Sequence, residues 1–324
     1  MKKTFARLAQ SSLGLVLAML STSALAADPT LPSSIKLVVP FTTGGSNDIF
    51  ARALSEQLGA KLGTTVIVDN KPGAGGVVGA AEVARAKPNG GTLLFSSNSF
   101  VTRAAVDTNL PFNHRTSFTP VAMVAQGALL LVVANHTPYK STEELIKDAS
   151  HKQVNYATAG IGSIAHLSTE LMNSMAGIQM THIPYKGISP ALTDMVGGRV
   201  EALIATPASV GGALRANQVR PIAVTTSTPS PFYPDLPPMA QAIPGYSVDV
   251  WWGVLGPADM PTAIVDRLNK VISEVAQSPR MKEIFSKEAA TPYTLSAKEF
   301  GIYMNQELDK WQKVAKERNI KLTD

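Results

Sequence analysis

The residues best placed to do chemistry sit in a turn with none of the usual reactive side chains. Pro40-Phe41-Thr42-Thr43-Gly44-Gly45-Ser46-Asn47-Asp48 follows an apolar run and precedes a helical one, and it holds no Lys or Arg. A glycine-rich turn that opens a helix aims unpaired backbone N–H groups and the positive end of the helix dipole at one point. Glycine lets the backbone take positive φ and approach a ligand closely. Such a turn binds an anion without a cationic side chain. The stretch has a counterpart. Val154-Asn155-Tyr156-Ala157-Thr158 leads into Ala159-Gly160-Ile161-Gly162-Ser163, again an apolar strand, a small-residue turn and a helical pattern. Thr42, Thr43, Ser46, Asn47, Thr158 and Ser163 add neutral donors. Either turn alone is explained as a tight βα connection with hydroxyl caps. Two of them suit a cleft that grips an anion from both sides. Asp48 fits anion binding poorly: it favours the helix N-terminus, holds the loop, or receives a cationic or hydroxyl group of the ligand.

Catalytic constellations are thin. The chain has no G-x-S-x-G elbow, P-loop or H-E-x-x-H, and its five histidines (His114, His136, His151, His166 and His182) show no ligand spacing. Gly160-Ile161-Gly162-Ser163-Ile164-Ala165 matches G-x-G-x-x-A, but the next strand does not end in the acid that a dinucleotide ribose requires. No cofactor and no metal is expected.

The elements around the turns alternate. Ile35 to Val39, Thr65 to Asp69 and Thr92 to Ser96 read as strands with helices between them. A second set reads Leu129 to Ala134, Val154 to Thr158, Gln179 to Ile183, Glu201 to Ala205 and Pro221 to Thr225. Val248 to Leu255 is a late strand. Pro261 to Ala276 and Ser296 to Arg318 are terminal helices. Strands alternating with helices imply parallel pairing and an α/β sheet. Ser141, with Glu144 three residues on, has capping-box spacing. Length suggests two domains, with Val121 to Ala134 and Val248 to Leu255 as the crossing strands. The expected division is domain 1 over 27–125 and 248–324 and domain 2 over 126–247.

The first 26 residues read as an export signal, with Lys2, Lys3 and Arg7, an apolar Leu13 to Leu20 and a small-x-small Ala24-Leu25-Ala26. The apolar core is far shorter than the roughly 20 residues of a spanning helix. Cleavage would leave a soluble exported chain. The absence of cysteine excludes disulfides, thiolate metal sites and a lipid-modified N-terminal cysteine. Of 29 Lys and Arg, three lie in the leader, so 26 face 24 acids and the mature charge is +2. There is no basic block, and nucleic acid is not an expected partner.

The chain resembles the substrate-binding receptors of the tripartite tricarboxylate transporter family, often called Bug receptors, over essentially its whole mature length. Pro40-Phe41, Gly44-Gly45 and Asp48 with Ala51-Arg52 resemble the first signature. Val68 to Gly76 resembles the second, and Tyr156 to Ser163 with His166-Leu167 the third. His182 to Gly187, Pro190-Ala191-Leu192, Gly197-Gly198, Pro234-Asp235, Trp252-Gly253 and Pro257 follow in the family order. Thr42-Thr43 departs from it, standing where proline is common.

The resemblance implies a two-lobed clamshell in the Gram-negative periplasm, each lobe a sheet flanked by helices. It implies a small carboxylate ligand, delivery to a two-component membrane permease, a sensor kinase as a possible further partner, and a monomer. Carried over by position, Thr42, Thr43, Gly44, Gly45, Ser46, Asn47 and Asp48 would line the site with Ala159, Gly160, Ile161, Gly162 and Ser163. Phe41, Ser97, Asn98, His166, Tyr185, Thr206 and Trp252 would form its walls. The ligand is an aliphatic di- or tricarboxylate, an amino acid or an aromatic carboxylate. The competing expectation is an exported α/β hydrolase or dinucleotide enzyme, which would show turnover.

Overall fold

The computed structural model describes residues 30–185 and 187–322. The expected leader lies outside them. The chain runs β1 (Ser34–Val39), α1 (Ser46–Leu62), β2 (Thr65–Asn70), α2 (Val77–Ala84), β3 (Thr92–Ser97), α3 (Ser99–Val106) and β4 (Phe118–Ala128). It continues through β5 (Leu130–Ala134), α4 (Thr142–Ala149), β6 (Asn155–Thr158), α5 (Ile164–Ala176), β7 (Thr181–Pro184), α6 (Ile188–Val196), β8 (Ala202–Ala205), α7 (Pro207–Arg215) and β9 (Val219–Val224). It ends with β10 (Asp249–Pro257), α8 (Thr262–Ala276), α9 (Pro279–Ser286), β11 (Ala290–Pro292) and α10 (Ala297–Glu317).

Two sheets form. One has the order β11-β4-β10-β3-β1-β2, the other β7-β6-β8-β5-β9. Pairing is parallel around β1 and around β6. It is antiparallel wherever β4, β10, β11, β5 or β9 takes part. The expectation of parallel pairing therefore holds only beside the two glycine-rich turns. The strands that carry the chain from one sheet to the other, β4 into β5 and β9 into β10, run against their neighbours in both sheets. The first crossing is at Leu129, between β4 and β5. The second leaves β9 and enters β10, where Thr225 Oγ1 donates to Val248 O at 2.7 Å.

The described residues from Leu31 onward are one compact unit. In β5, Leu131 and Val133 face the core shared with the first sheet, while Leu130 and Val132 face a separate core under α6 and α7. This is the period-two alternation of a strand covered on both faces. α10 opens on a full capping box, with Glu299 N–H donating to Ser296 Oγ and Ser296 N–H to Glu299 Oε2. At α4 only half of the expected box forms. Ser141 Oγ accepts from Glu144 N–H, but Glu144 Oε2 turns to the Lys140 amide at 2.6 Å. Among the described residues no helix is long and apolar enough to cross a membrane.

Candidate functional site

The first turn joins β1 to α1. Gly44 has φ +88°, and Gly45 caps the helix without a side-chain bond. Asp48 N–H bonds to Gly45 O at 2.9 Å. Ser46 and Asn47, the first two helical residues, keep N–H groups with no intrahelical acceptor. The conformation is held by Asp48, which is 4% exposed. Its Oδ2 accepts from Gly44 N–H at 3.0 Å and Arg52 Nε at 3.1 Å. Its Oδ1 accepts from Asn70 Nδ2 at 2.9 Å and pairs with Arg52 Nη2 at 2.9 Å. Burial alone would push this carboxyl up, but Arg52, the Gly44 amide and Asn70 together hold it below the usual carboxylate range. Both oxygens are thus committed to the loop. Asn70 also donates to Phe41 O at 3.1 Å. Sequence reasoning did not single out Arg52 or Asn70 as supports. The i,i+4 spacing of Asp48 and Arg52 was a usable signal; the bond across from β2 had none.

The second turn repeats the device with different chemistry. Gly162 has φ +77°, and its N–H donates to Nδ1 of His166, four residues on, at 3.2 Å. An Nδ1 that accepts leaves the neutral imidazole protonated at Nε2. Ser163 caps α5, accepting from His166 N–H at 3.3 Å and donating to Gly160 O at 2.7 Å. Ile164 and Ala165 keep the unpaired N–H groups. Thr158 Oγ1 is fully buried and shared between the Gly160 backbone and His182 Nε2, the latter at 2.7 Å. His166 stacks on His182 at 3.9 Å between centroids, and His182 on Tyr156 at 5.0 Å. Burial pushes the His166 imidazole below its ordinary value against the pull of Glu170. Burial, with His166 beside it, pushes His182 down to about 3.

α3 connects the two turns. At its start, Ser99 Oγ lies 3.0 Å from Ser97 Oγ, which meets Asn47 Nδ2 at 3.5 Å. At its end, Val106 packs so tightly on the second turn that a Cβ on Gly162 would lie 2.5 Å from its Cγ2. Eight residues make a helix about 12 Å long.

The remaining expected wall residues divide. Thr42, Thr43, Gly44, Gly45, Ala159 and Ile161 are exposed, and Ser46, Asn47, Gly160 and Ser163 half-buried. Tyr185 is half-buried and donates its hydroxyl to Asp194 Oδ2 at 2.8 Å. Thr206 stands at the N-cap of α7. Phe41 lines a small cavity with Gly76, Phe100 and Phe112. Asn98 is buried and donates to Asp249 O at 3.1 Å. Trp252 is a correction. It is 1% exposed and meets Phe50 edge-on at 4.8 Å, so it is core and no wall. Trp251 and Trp252 alternate across β10, an interior strand covered on both faces, with Trp251 meeting Phe300 edge-on at 5.4 Å.

Residues 50–320 match the family model described as "Tripartite tricarboxylate transporter family receptor". The chain belongs to that family. It is 33% identical over 316 residues to BugT of Bordetella pertussis, covering 96% of this chain and 97% of that protein. Among solved structures it is similar to an R. palustris protein with adipate (33% identity, TM-score 0.79, 90% of this chain and 99% of the other). It is also similar to the periplasmic binding protein BugD (29%, TM-score 0.74, 89% and 98%). MatC from Rhodopseudomonas palustris, solved with malate, is a further match (28%, TM-score 0.75, 88% and 99%). The fold is accordingly the two-lobed α/β clamshell of periplasmic binding proteins, and these relatives are receptors rather than enzymes.

Proposed function

We propose that this protein is a periplasmic receptor that takes a small organic carboxylate between its two glycine-rich turns and hands it to a two-component membrane permease. The observation that carries this reading is the matched pair of turns. In each, a positive-φ glycine spends its N–H on a side chain four residues on, while the next two helical amides stay unpaired. Four N–H groups and two helix dipoles then serve a ligand without a formal counter-ion. The relatives solved with adipate and malate support a dicarboxylate, and a helix of about 12 Å between the turns suits a chain of several carbons. Asp48 acts on the loop, not on the ligand, because its four acceptor positions are filled.

Charge-assisted bonds at about 1.5–3 kcal/mol each, less the cost of closure and ordering, give affinities around micromolar, about −8 kcal/mol. The lobes close about the crossings at Leu129 and at Thr225 to Val248, with residues 27–125 and 248–324 moving against 126–247. The leader directs export to the periplasm of a Gram-negative cell, and the receptor acts as a monomer. Thermal-shift and calorimetric titration with adipate, malate, aspartate and terephthalate tests the reading. A saturable rise in melting temperature with at least one of them, without turnover, is expected. No stabilisation by any of them, or conversion of one to product, contradicts it.

A further inference from the structure

The end of α10 reaches the second turn by two routes. In the first, Arg318 Nε donates to Glu170 Oε2 at 2.5 Å, the two side chains being 24% and 9% exposed. The other oxygen of Glu170 accepts from the Tyr156 hydroxyl at 2.5 Å and from Asn173 Nδ2 at 3.3 Å. Tyr156 carries the stack of His182 and His166, and His166 Nδ1 holds the Gly162 amide. In the second route, Leu322 N–H donates to Val106 O at 3.1 Å, and the Val106 side chain fills the space beside Gly162. The chain from Arg318 to Leu322 therefore touches both supports of one ligand turn. The first turn, anchored by Asp48, Arg52 and Asn70, shares none of these residues.

We propose that the segment Arg318–Leu322 is a clasp that sets the geometry of the second turn, with Arg318 as its positioning residue. Glu170 is buried, and removing its cation leaves an uncompensated charge that is driven to rotate toward water. That rotation takes the acceptor from Tyr156, and a phenol without its partner no longer fixes the ring on which both imidazoles lie. The Gly162 amide is then held less firmly, and the amides of Ile164 and Ala165 lose their common direction. Affinity for a ligand depends on the clasp only if the second turn binds that ligand, so this consequence rests on the carboxylate reading above. The order of the turn does not.

The test is amide hydrogen exchange on the ligand-free protein, comparing Arg318→Met with wild type and with Lys316→Met, an exposed cation in the same helical turn. Exchange over residues 159–167 should rise about ten-fold in Arg318→Met, with residues 42–48 changing less than about two-fold. Tyr156→Phe keeps the ring and loses the hydroxyl, and should show a smaller rise in the same segment. An equal rise at both turns would reveal general loosening and overturn the clasp, as would an unchanged second turn. Calorimetry with adipate and malate adds the functional arm. Arg318→Met should bind the preferred acid about ten-fold more weakly than Lys316→Met; equal affinities would overturn the functional part. If wild type bound neither acid, the carboxylate reading would fall while the exchange result still decided the clasp.

Discussion

The two turns share a backbone design and differ in what holds it. Each places a positive-φ glycine before a helix and ties its N–H to the side chain four residues later. In the first turn that side chain is Asp48, an anion matched by Arg52 and Asn70. In the second it is His166, neutral and stacked in a column of rings. The first turn is exposed and has no side-chain cap; the second is packed against Val106 and capped by Ser163. On the proposed carboxylate reading, one turn is preorganised by charge at the rim and the other by packing in the interior, with the charge consumed within the loop. A free carboxylate facing the ligand would repel it.

The sharpest break in this symmetry is steric. Gly162→Ala meets both backbone strain and Val106, whereas Gly44→Ala has open space and only strain. Strain at positive φ costs about 1 kcal/mol, and overpacking adds about 1–3 kcal/mol. Gly162→Ala should therefore lower the melting temperature well beyond Gly44→Ala, and Val106→Ala should recover part of the loss in a double variant. Equal shifts would contradict the packed second turn.

Next in size is Asp48→Asn, which keeps the shape and removes the charge that Arg52 faces. A loss of about 2 kcal/mol is expected by chemical denaturation. A rise in dicarboxylate affinity without loss of stability would instead show that Asp48 repels the ligand.

The turns also differ in their response to acid. His182 is depressed to about 3 and His166 is lowered as well. Neutral imidazoles of this kind stabilise the fold above the unfolded value near 6.5, and the contribution drains away as pH falls from there toward the folded value. Asp48, also depressed, contributes above about 3.8 and loses its contribution only below that. Between pH 6.5 and 4.5 the second turn should loosen first. His182→Phe should reduce the loss of stability across that window by about 1 kcal/mol, discounted for partial exposure. An unchanged loss would contradict a stack held neutral. The smallest effect concerns the caps. Ser163→Ala should cost about 1 kcal/mol, while Thr43→Ala, at an exposed position of the first turn that caps no helix, should cost less.

Much of this was legible in the chain. The strand, glycine turn and helix pattern located β1 and β6 to within a residue and placed a helix after each, because apolar runs and glycines mark such units. The ordered signatures named the family. Less legible was anything set by register or by contacts far apart in sequence. α3 and α9 carry no strong pattern, yet α3 joins the turns. Trp252 reads equally as a wall of the site or as core until β10 is seen to bury it. Asn70 and Asp48 are 22 residues apart and meet only because β1 pairs with β2 in register. The hydroxyls of Thr158 and Ser163 read as ligand donors in a string of letters, but the loop itself uses them.

The most direct test of paired amide donors is a titration followed by backbone amide NMR, with adipate and malate as probes. The amides of Ser46, Asn47, Ile164 and Ala165 should move downfield together and saturate at one affinity, with smaller changes at Gly44 and Gly162, whose N–H groups are already bonded. Saturable shifts at one turn alone, or centred on Gly44 and Gly162, would contradict the account.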